Sequence, residues 1–429
     1  MILFDDVEKP SIDERKYRHL KLDNDLEVLL ISDKDTEKAA AALDVHVGQM
    51  CDPIECQGLA HFLEHLLFMY PVENDYSEYL SAHGGHSNAF TGLENTNYYF
   101  EVNQEFLEGA LDRFAQFFLE PLFLESSTER EMNAVNSEHM KNIQQDAWRL
   151  HQLQRDLADP NHPYSKFGTG NLETLGEGPK QNGIEIRKVL LDFHKSIRIK
   201  YYSANIMRLV VLGKEPLDIL TEWVVSRFSL VANKNIQVPS CVGHPLGTDQ
   251  LGKVLFVKPV KDVRQLSLTF AFPDSEQHYL EKPEAYLSHL VGHESAGSIL
   301  SVLKKKGWAM GLSSYGGSGG KNFDFFKVSI ELTEEGEARY EEIIDICFQY
   351  FKMIKSAGAQ EWVFKETQSL SQLNFRFKEK SRPSSYCSYV AGCMHKYKKE
   401  HILSGPTLLW EFDRALIEQY NNYLRPDNF

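Results

Sequence analysis

Two histidines four positions apart, with an acid just ahead of the second, make His61-Phe62-Leu63-Glu64-His65 the string in this chain best suited to chemistry. On a helix, positions i, i+3 and i+4 share a face, so His61, Glu64 and His65 can enter one cleft and both imidazoles can reach one cation. Catalytic zinc takes three protein ligands and keeps a position open for water, whose proton a nearby carboxylate accepts. Glu64 suits that base role, because it lies beside the second histidine and stays free to touch the water. The plain alternative is a half-buried helix with ordinary packing and capping residues. A five-residue string arises by chance often enough that a third ligand is needed before it carries weight.

The stretch after Thr128 offers Glu131, Glu138 and His139, with Glu138 one heptad beyond Glu131 on nearly the same helix face. Either acid could complete a site. Glu131 also fits a capping box opened by Ser126-Ser127-Thr128. Glu138 has no capping role, and an unpaired carboxylate near Val135 and Ile143 would be costly. His139, His83 and His86 remain rival ligands from spacing alone. A second pair, His289-Leu290-Val291-Gly292-His293-Glu294, keeps its acid outside the histidines, and Gly292 suits a bend better than a rigid ligand face. Core or surface-binding histidines are the better reading there.

The elements that must position these groups follow from periodicity. Residues 17–33 read as two strands joined by a turn at Asn24-Asp25, and 42–47 as a third strand. Apolar residues at helical spacing across 58–68 put the histidine string on a mostly buried helix. Strands are expected over 88–91 and 97–102, a long helix from Thr128 to about Leu157, a helix over 184–197 and a strand over 207–212. Periodicity lapses between 232 and 249, and the mixed plan resumes with strands at 254–257 and 266–272 and helices over 283–293, 298–306, 334–355 and 361–377. Two α+β domains, 1–238 and 239–429, are expected. Gly316-Gly317-Ser318-Gly319-Gly320 reads as a loop between strands and lacks the Lys-Ser/Thr of a phosphate cradle.

At 429 residues and 42% hydrophobic content, the chain has ample material for packed cores. A formal charge of -15 offers no basic field to a nucleic acid. Neither a secretory leader nor a membrane-spanning run is apparent, so a soluble, cytoplasmic protein is expected. The six cysteines are irregularly spaced, with no Cys-x-x-Cys, and are read as reduced thiols. A metal site here must use nitrogen and oxygen ligands, which suits catalytic zinc.

The chain resembles the insulinase (M16, inverzincin) family of zinc peptidases, whose inverted motif is His61-Phe62-Leu63-Glu64-His65. The resemblance extends through Ser87-Asn88-Ala89-Phe90-Thr91 and through segments 109–114, 133–139, 167–171, 289–294 and 360–364. It implies two similar domains, each a mostly antiparallel sheet covered by helices. It also implies one Zn2+ per chain on His61, His65 and Glu138, with Glu64 as general base and Glu131 orienting the site. Asn88, Ala89, Phe90 and Thr91 match an edge strand to which substrate peptides add. Phe68, Phe90 and Trp148 match pocket residues. Gly292, His293 and Glu294, with Leu312, Ser313 and Ser314, match an exosite for the substrate's amino terminus. His151 and Ser314 stand where relatives carry an aromatic residue and a glycine, and Met69 runs into Tyr70-Pro71 where relatives have a Gly-Thr-type loop. The implied function is zinc-dependent endoproteolysis of short, flexible peptides. Relatives continue past Phe429 into a carboxy-terminal half that closes a chamber and adds a tyrosine and an arginine to the site. The alternatives are a non-catalytic peptide-binding or partner subunit, or a half-size processing-peptidase-like subunit paired with a homologous chain.

Overall fold

The structure, a computed structural model, describes residues 2–69, 75–119, 125–194, 201–317 and 319–429. Tyr70-Pro71, Ser318 and the end of the helix expected over 184–197 lie outside the described residues. Among the described residues no helix is long and apolar enough to cross a membrane.

The chain forms two compact units. One comprises 1–144, 166–239 and 376–406, the other 145–165, 240–375 and 407–429. These differ from the contiguous domains 1–238 and 239–429 expected from the sequence, and packing gives the reason for each exchange.

The first unit is built on a seven-stranded sheet, with β1 (Ile2–Phe4), β2 (Lys16–Lys21), β3 (Glu27–Ser32), β4 (Lys38–Val45), β5 (His86–Thr91), β6 (Thr96–Asn103) and β7 (Met207–Gly213) in the order β1-β2-β3-β7-β4-β6-β5. Neighbours run antiparallel except β3 and β7. Both sheet faces are covered, so the central strands read as apolar runs without polar alternation. Val28, Leu30, Ala39, Ala41 and Leu43 face α1 (Leu59–Leu67), α2 (Asp75–Ala82) and α3 (Leu107–Leu119). Leu29, Ile31, Ala40 and Ala42 face the helix Pro383–Lys396, whose Cys387, Val390 and Ala391 are buried against them. The alanines of β4 let that helix approach closely, with Cys387 Sγ 3.8 Å from the Ala40 carbonyl oxygen. Burying Val390 and Met394 there contributes roughly 1.5–3 kcal/mol each, which explains why 376–406 belongs to this unit. β5 pairs only with β6 and so forms one edge of the sheet.

The second unit holds β8 (Gln265–Phe272), β9 (Ala309–Tyr315) and β10 (Asp324–Leu332), antiparallel in the order β8-β10-β9. Phe270, Val328 and Ile330 are buried against Leu287, Leu303, Cys347 and Phe351 of the covering helices. Tyr164 packs its ring on Phe323 and Phe325, and His162 on Phe323, which draws 145–165 into this unit.

Three local expectations change. The long helix does not run to Leu157. It divides into α4 (Glu125–Asn142) and α5 (Asp146–Asp156), with Gln145 extended between them. The break lets the Asp146 carboxylate accept the backbone N–H groups of Val260 and Lys261. Residues 126–128 lie inside α4 and not ahead of it, so Thr128 is no N-cap and the capping box is not formed. Residues 254–257 form no strand, because no neighbouring backbone pairs with them among the described residues.

Candidate metal centre

α1 is fixed at its start by Asp52, whose carboxylate oxygens accept the N–H groups of Gly58 and Ala60, each at 2.8 Å. That places a buried acid at the positive end of the helix. Gly58 has φ +90°, and a Cβ there would lie 2.2 Å from the Gly170 Cα, so only glycine admits the 169–170 loop. The loop in turn sets its Thr169 carbonyl oxygen 2.7 Å from His61 Nδ1. Leu59, Phe62, Leu63, Leu66 and Leu67 face the core, which leaves His61 and His65 half-buried toward α4.

His61 Nε2 and His65 Nε2 each lie 3.6 Å from Glu138 Oε2, and the two rings stand 4.9 Å apart at 88°. Ligand atoms of these three residues all lie within 4.8 Å of one another. Two donors on a tetrahedral zinc are about 3.4 Å apart, so the arrangement fits a shared ion. A carbonyl oxygen only accepts, so His61 Nδ1 carries a proton toward Thr169, and Nε2 is the atom turned to Glu138. Glu131 Oε2 lies 3.5 Å from His65 Nδ1 and orients the second ring in the same way. Burial opposes charge on His65, but the carboxylates of Glu131 and Glu138 outweigh it and raise its pKa to about 9. The hydrogen bond from His65, against a smaller effect of burial, holds the Glu138 carboxyl below its ordinary range. The donor set thus favours positive charge at its centre, as a divalent cation would supply with both rings neutral.

Glu64 is buried and lies next to this face. Its Oε2 accepts a hydrogen bond from Thr91 Oγ1 at 2.5 Å. Burial pushes its pKa up, partly offset by His61, the Thr91 hydroxyl and His65. Burial there favours the protonated form, so this carboxyl holds a proton more readily than an exposed glutamate does. Glu64 thus stays out of the ligand group while remaining beside it.

The rival histidines go elsewhere. His139 packs on Phe167, His83 stacks on Phe106, and His86 Nδ1 lies 3.7 Å from Glu101. His289 and His293 flank the end of the helix Pro283–Val291, with Gly292 as its C-cap, and their rings stand 5.5 Å apart at 89°, but among the described residues no third ligand joins them. Asn88, Ala89, Phe90 and Thr91 lie on edge strand β5, with Phe90 exposed and Ala89 packed inward. Phe68 is half-buried against Phe117. Trp148 is exposed on α5, in the second unit. In that unit Gly292, His293, Leu312, Ser313 and Ser314 line an open recess of about 590 Å³, and Glu294 lines an adjoining one with Leu312 and Ser313.

Two contributors escaped sequence reasoning. Thr169 acts through its backbone, which side-chain type cannot signal. Thr91 is read from the sequence as part of a substrate strand, and its hydrogen bond to Glu64 depends on the close packing of α1 against β5.

Three family models match the chain. Insulinase (Peptidase family M16) matches residues 27–161, Peptidase M16 inactive domain matches 186–370, and Middle or third domain of peptidase_M16 matches 375–429. The chain is 50% identical to the insulin-degrading enzyme of Homo sapiens over 98% of its own length and 41% of that protein's. It is 48% identical to the A-factor-processing enzyme of Saccharomyces cerevisiae, covering 99% of itself and 41% of the relative. The crystal structure of pitrilysin superposes with a TM-score of 0.92 at 31% identity, over 98% of this chain and 45% of that one. A protease from Helicobacter pylori, at 19% identity and a TM-score of 0.71, shares the fold over 96% of this chain and 98% of its own. The chain therefore spans less than half the length of its longer relatives, and it belongs to the insulinase family, peptidase M16, with an α+β fold matching the amino-terminal part of those members.

Proposed function

We propose that this chain carries the catalytic site of a zinc metalloendopeptidase acting on short, flexible peptides. The observation that carries the reading is the convergence of His61 Nε2, His65 Nε2 and Glu138 on one point, with both Nδ1 atoms held from behind and Glu64 buried alongside. A zinc ion held there would polarise the scissile carbonyl and acidify a water molecule. Glu64 accepts the proton of the attacking water and returns it to the departing amine, and the Thr91 hydroxyl fixes its orientation. The free edge of β5 presents backbone groups to an extended peptide, giving affinity with little sequence preference. Phe68, Phe90 and Trp148 as pocket residues, and the recess at Gly292, His293 and Ser314 as an exosite, enter the reading through the family resemblance. The names of the relatives point to peptides of the size of insulin and a-factor.

Because the chain covers 41% of those relatives, the reading includes a companion, either a carboxy-terminal half or a homologous chain, that completes the working enzyme. The second reading is a subunit that binds peptides without turnover. A cytosolic setting, where the six cysteines, none of them in a disulfide, stay reduced, belongs to the proposal. Zinc content and peptide cleavage, measured with and without an added carboxy-terminal half of a relative, separate the two. Glu64→Gln is expected to keep zinc and lose cleavage, and His65→Ala to lose zinc. Cleavage by Glu64→Gln at the wild-type rate would overturn the mechanism, and zinc binding without cleavage under either condition would favour the non-catalytic subunit.

A further inference from the structure

We propose that the open face of the second unit's sheet holds, at Lys327, a site for one acidic side chain of a bound peptide. β10 is the middle strand, so Lys327 stands in register between Thr269 of β8 and Tyr315 of β9, and residues directly opposed on antiparallel strands share a face. Phe326, Val328 and Ile330 are buried on the helix-covered side, whereas Ser267, Ser313, Tyr315 and Glu331 are exposed on this one. α5 stands over one end of the open face, where Lys327 Nζ donates to Gln154 Oε1 at 2.7 Å.

Lys327 is a half-buried cation with no carboxylate in hydrogen-bond or ion-pair contact among the described residues. Gln154 offers it only an amide dipole, and the Nε2 end of that amide is itself buried without an acceptor. Burial lowers the Lys327 pKa, and Asp324, which partly offsets this, belongs to the opposite face, where its Oδ1 accepts the N–H groups of Gly319 and Phe325. On the open face the next acid along β10 is Glu331, four residues on and about 13 Å away. Further positive charge gathers from α5. Arg155 is buried over the Tyr164 ring at 5.6 Å, and His151 lies one turn before it. His151 is exposed to solvent, yet packing around its ring and then the charges of Arg155 and Lys327 hold its pKa down to about 4, which puts both cations near it.

A half-dehydrated ammonium with a neutral partner gains most from an anion. The Thr269 and Tyr315 hydroxyls, which make no hydrogen bond among the described residues, flank it in register and add two donors at the same place. A carboxylate accepts from all three groups, a cation is repelled, and a neutral amide gains less. The open face continues along β10 through Ser329 to Glu331, so a chain can cross it without ending there, which selects a side-chain carboxylate over a terminal one. In a chain of net charge -15 this corner is a local exception, so it discriminates among peptides and does not draw them in from a distance. The inference rests on the peptidase reading for its peptide ligand, and it adds a preference for aspartate or glutamate to that reading.

The test measures binding by fluorescence anisotropy, using the full chain with Glu64→Gln so that cleavage does not intervene. The probes are end-blocked peptides of about ten residues, made of serine, glutamine and leucine, with a central glutamate or glutamine. The glutamate peptide is expected to bind about tenfold tighter, and the preference should shrink in high salt. Lys327→Met keeps an apolar stem beside the Phe325 ring and should bring the two peptides within about twofold, while Lys327→Glu should favour a central lysine. Equal affinity of the two peptides, absence of binding by both included, would overturn the proposal, as would a preference that survives Lys327→Met. So would binding of the glutamine peptide that appears only when its carboxy terminus is unblocked and is lost in Lys327→Met, which would give the site to a terminal carboxylate. Zinc content and cleavage are read separately on the chain with Glu64 intact. A missing glutamate preference with cleavage present refutes the site alone, and a glutamate preference without zinc or cleavage refutes the peptidase reading alone.

Discussion

Glu131→Gln separates the role the structure gives this residue from the one its sequence position suggests. Glu131 is buried with Oε2 3.5 Å from His65 Nδ1, and its other oxygen lies 3.6 Å from the exposed Arg130. Glutamine keeps the volume and removes the charge that orients and polarises the His65 ring. Loss of such a carboxylate behind a ligating histidine costs about 10–100-fold in metal affinity, or about 1.4–2.7 kcal/mol. The Arg130 contact adds little, being a surface pair. A capping box accepts glutamine as well as glutamate, so if Glu131 served only that role the substitution would leave both zinc affinity and metal-free stability nearly unchanged. Competition against a chromophoric chelator at fixed pH gives the zinc affinity, and thermal melts of metal-free protein give the stability. The predicted outcome is weakened zinc binding with a nearly unchanged metal-free melt. Zinc affinity within twofold of wild type would refute the reasoning.

Three further outcomes follow from the same geometry. Gly58→Ala forces a side chain into a left-handed backbone against Gly170. It should cost about 2–4 kcal/mol in denaturant unfolding and also weaken zinc binding, because the displaced loop carries the Thr169 carbonyl that holds His61. Thr91→Val leaves the buried Glu64 oxygen without its hydrogen bond, so metal-free stability should fall by about 1–3 kcal/mol while zinc stoichiometry stays at one. In the second unit, burial and then the nearby Asp324 carboxylate push Glu284 up to about 8. The folded chain then holds a proton that the unfolded chain has released above its ordinary value of 4.5, so stability falls as pH rises between these values. Urea unfolding should lose on the order of 2–4 kcal/mol across that span, and Glu284→Gln should flatten the profile.

Legibility in the sequence tracked how local each constraint is. The helix carrying His61 and His65 is written in the spacing of Leu59, Phe62, Leu63, Leu66 and Leu67, and α1 follows that pattern closely. The third ligand was left among Glu131, Glu138 and rival histidines by spacing alone. The docking of α4 on α1, a tertiary event, is what brings Glu138 to the two imidazoles. Helical periodicity also could not show that α4 ends at Asn142, since the break goes with Asp146 binding the backbone at 260–261, more than a hundred residues away. The strand reading of 254–257 was chemically apt, yet a strand requires a partner backbone and none stands beside it among the described residues. The exchange of 145–165 and 376–406 between units was hidden for the same reason. A helix with a buried face such as 383–396 declares that it must pack, and not against which sheet.

The most direct test of the metal centre is an anomalous difference map from crystals of the zinc-loaded chain, recorded at the zinc absorption edge. One strong peak is predicted, bounded by His61 Nε2, His65 Nε2 and a Glu138 carboxylate oxygen, and absent in crystals of His65→Ala. A peak beside His289 and His293 instead, or no peak from protein carrying stoichiometric zinc, would contradict the account.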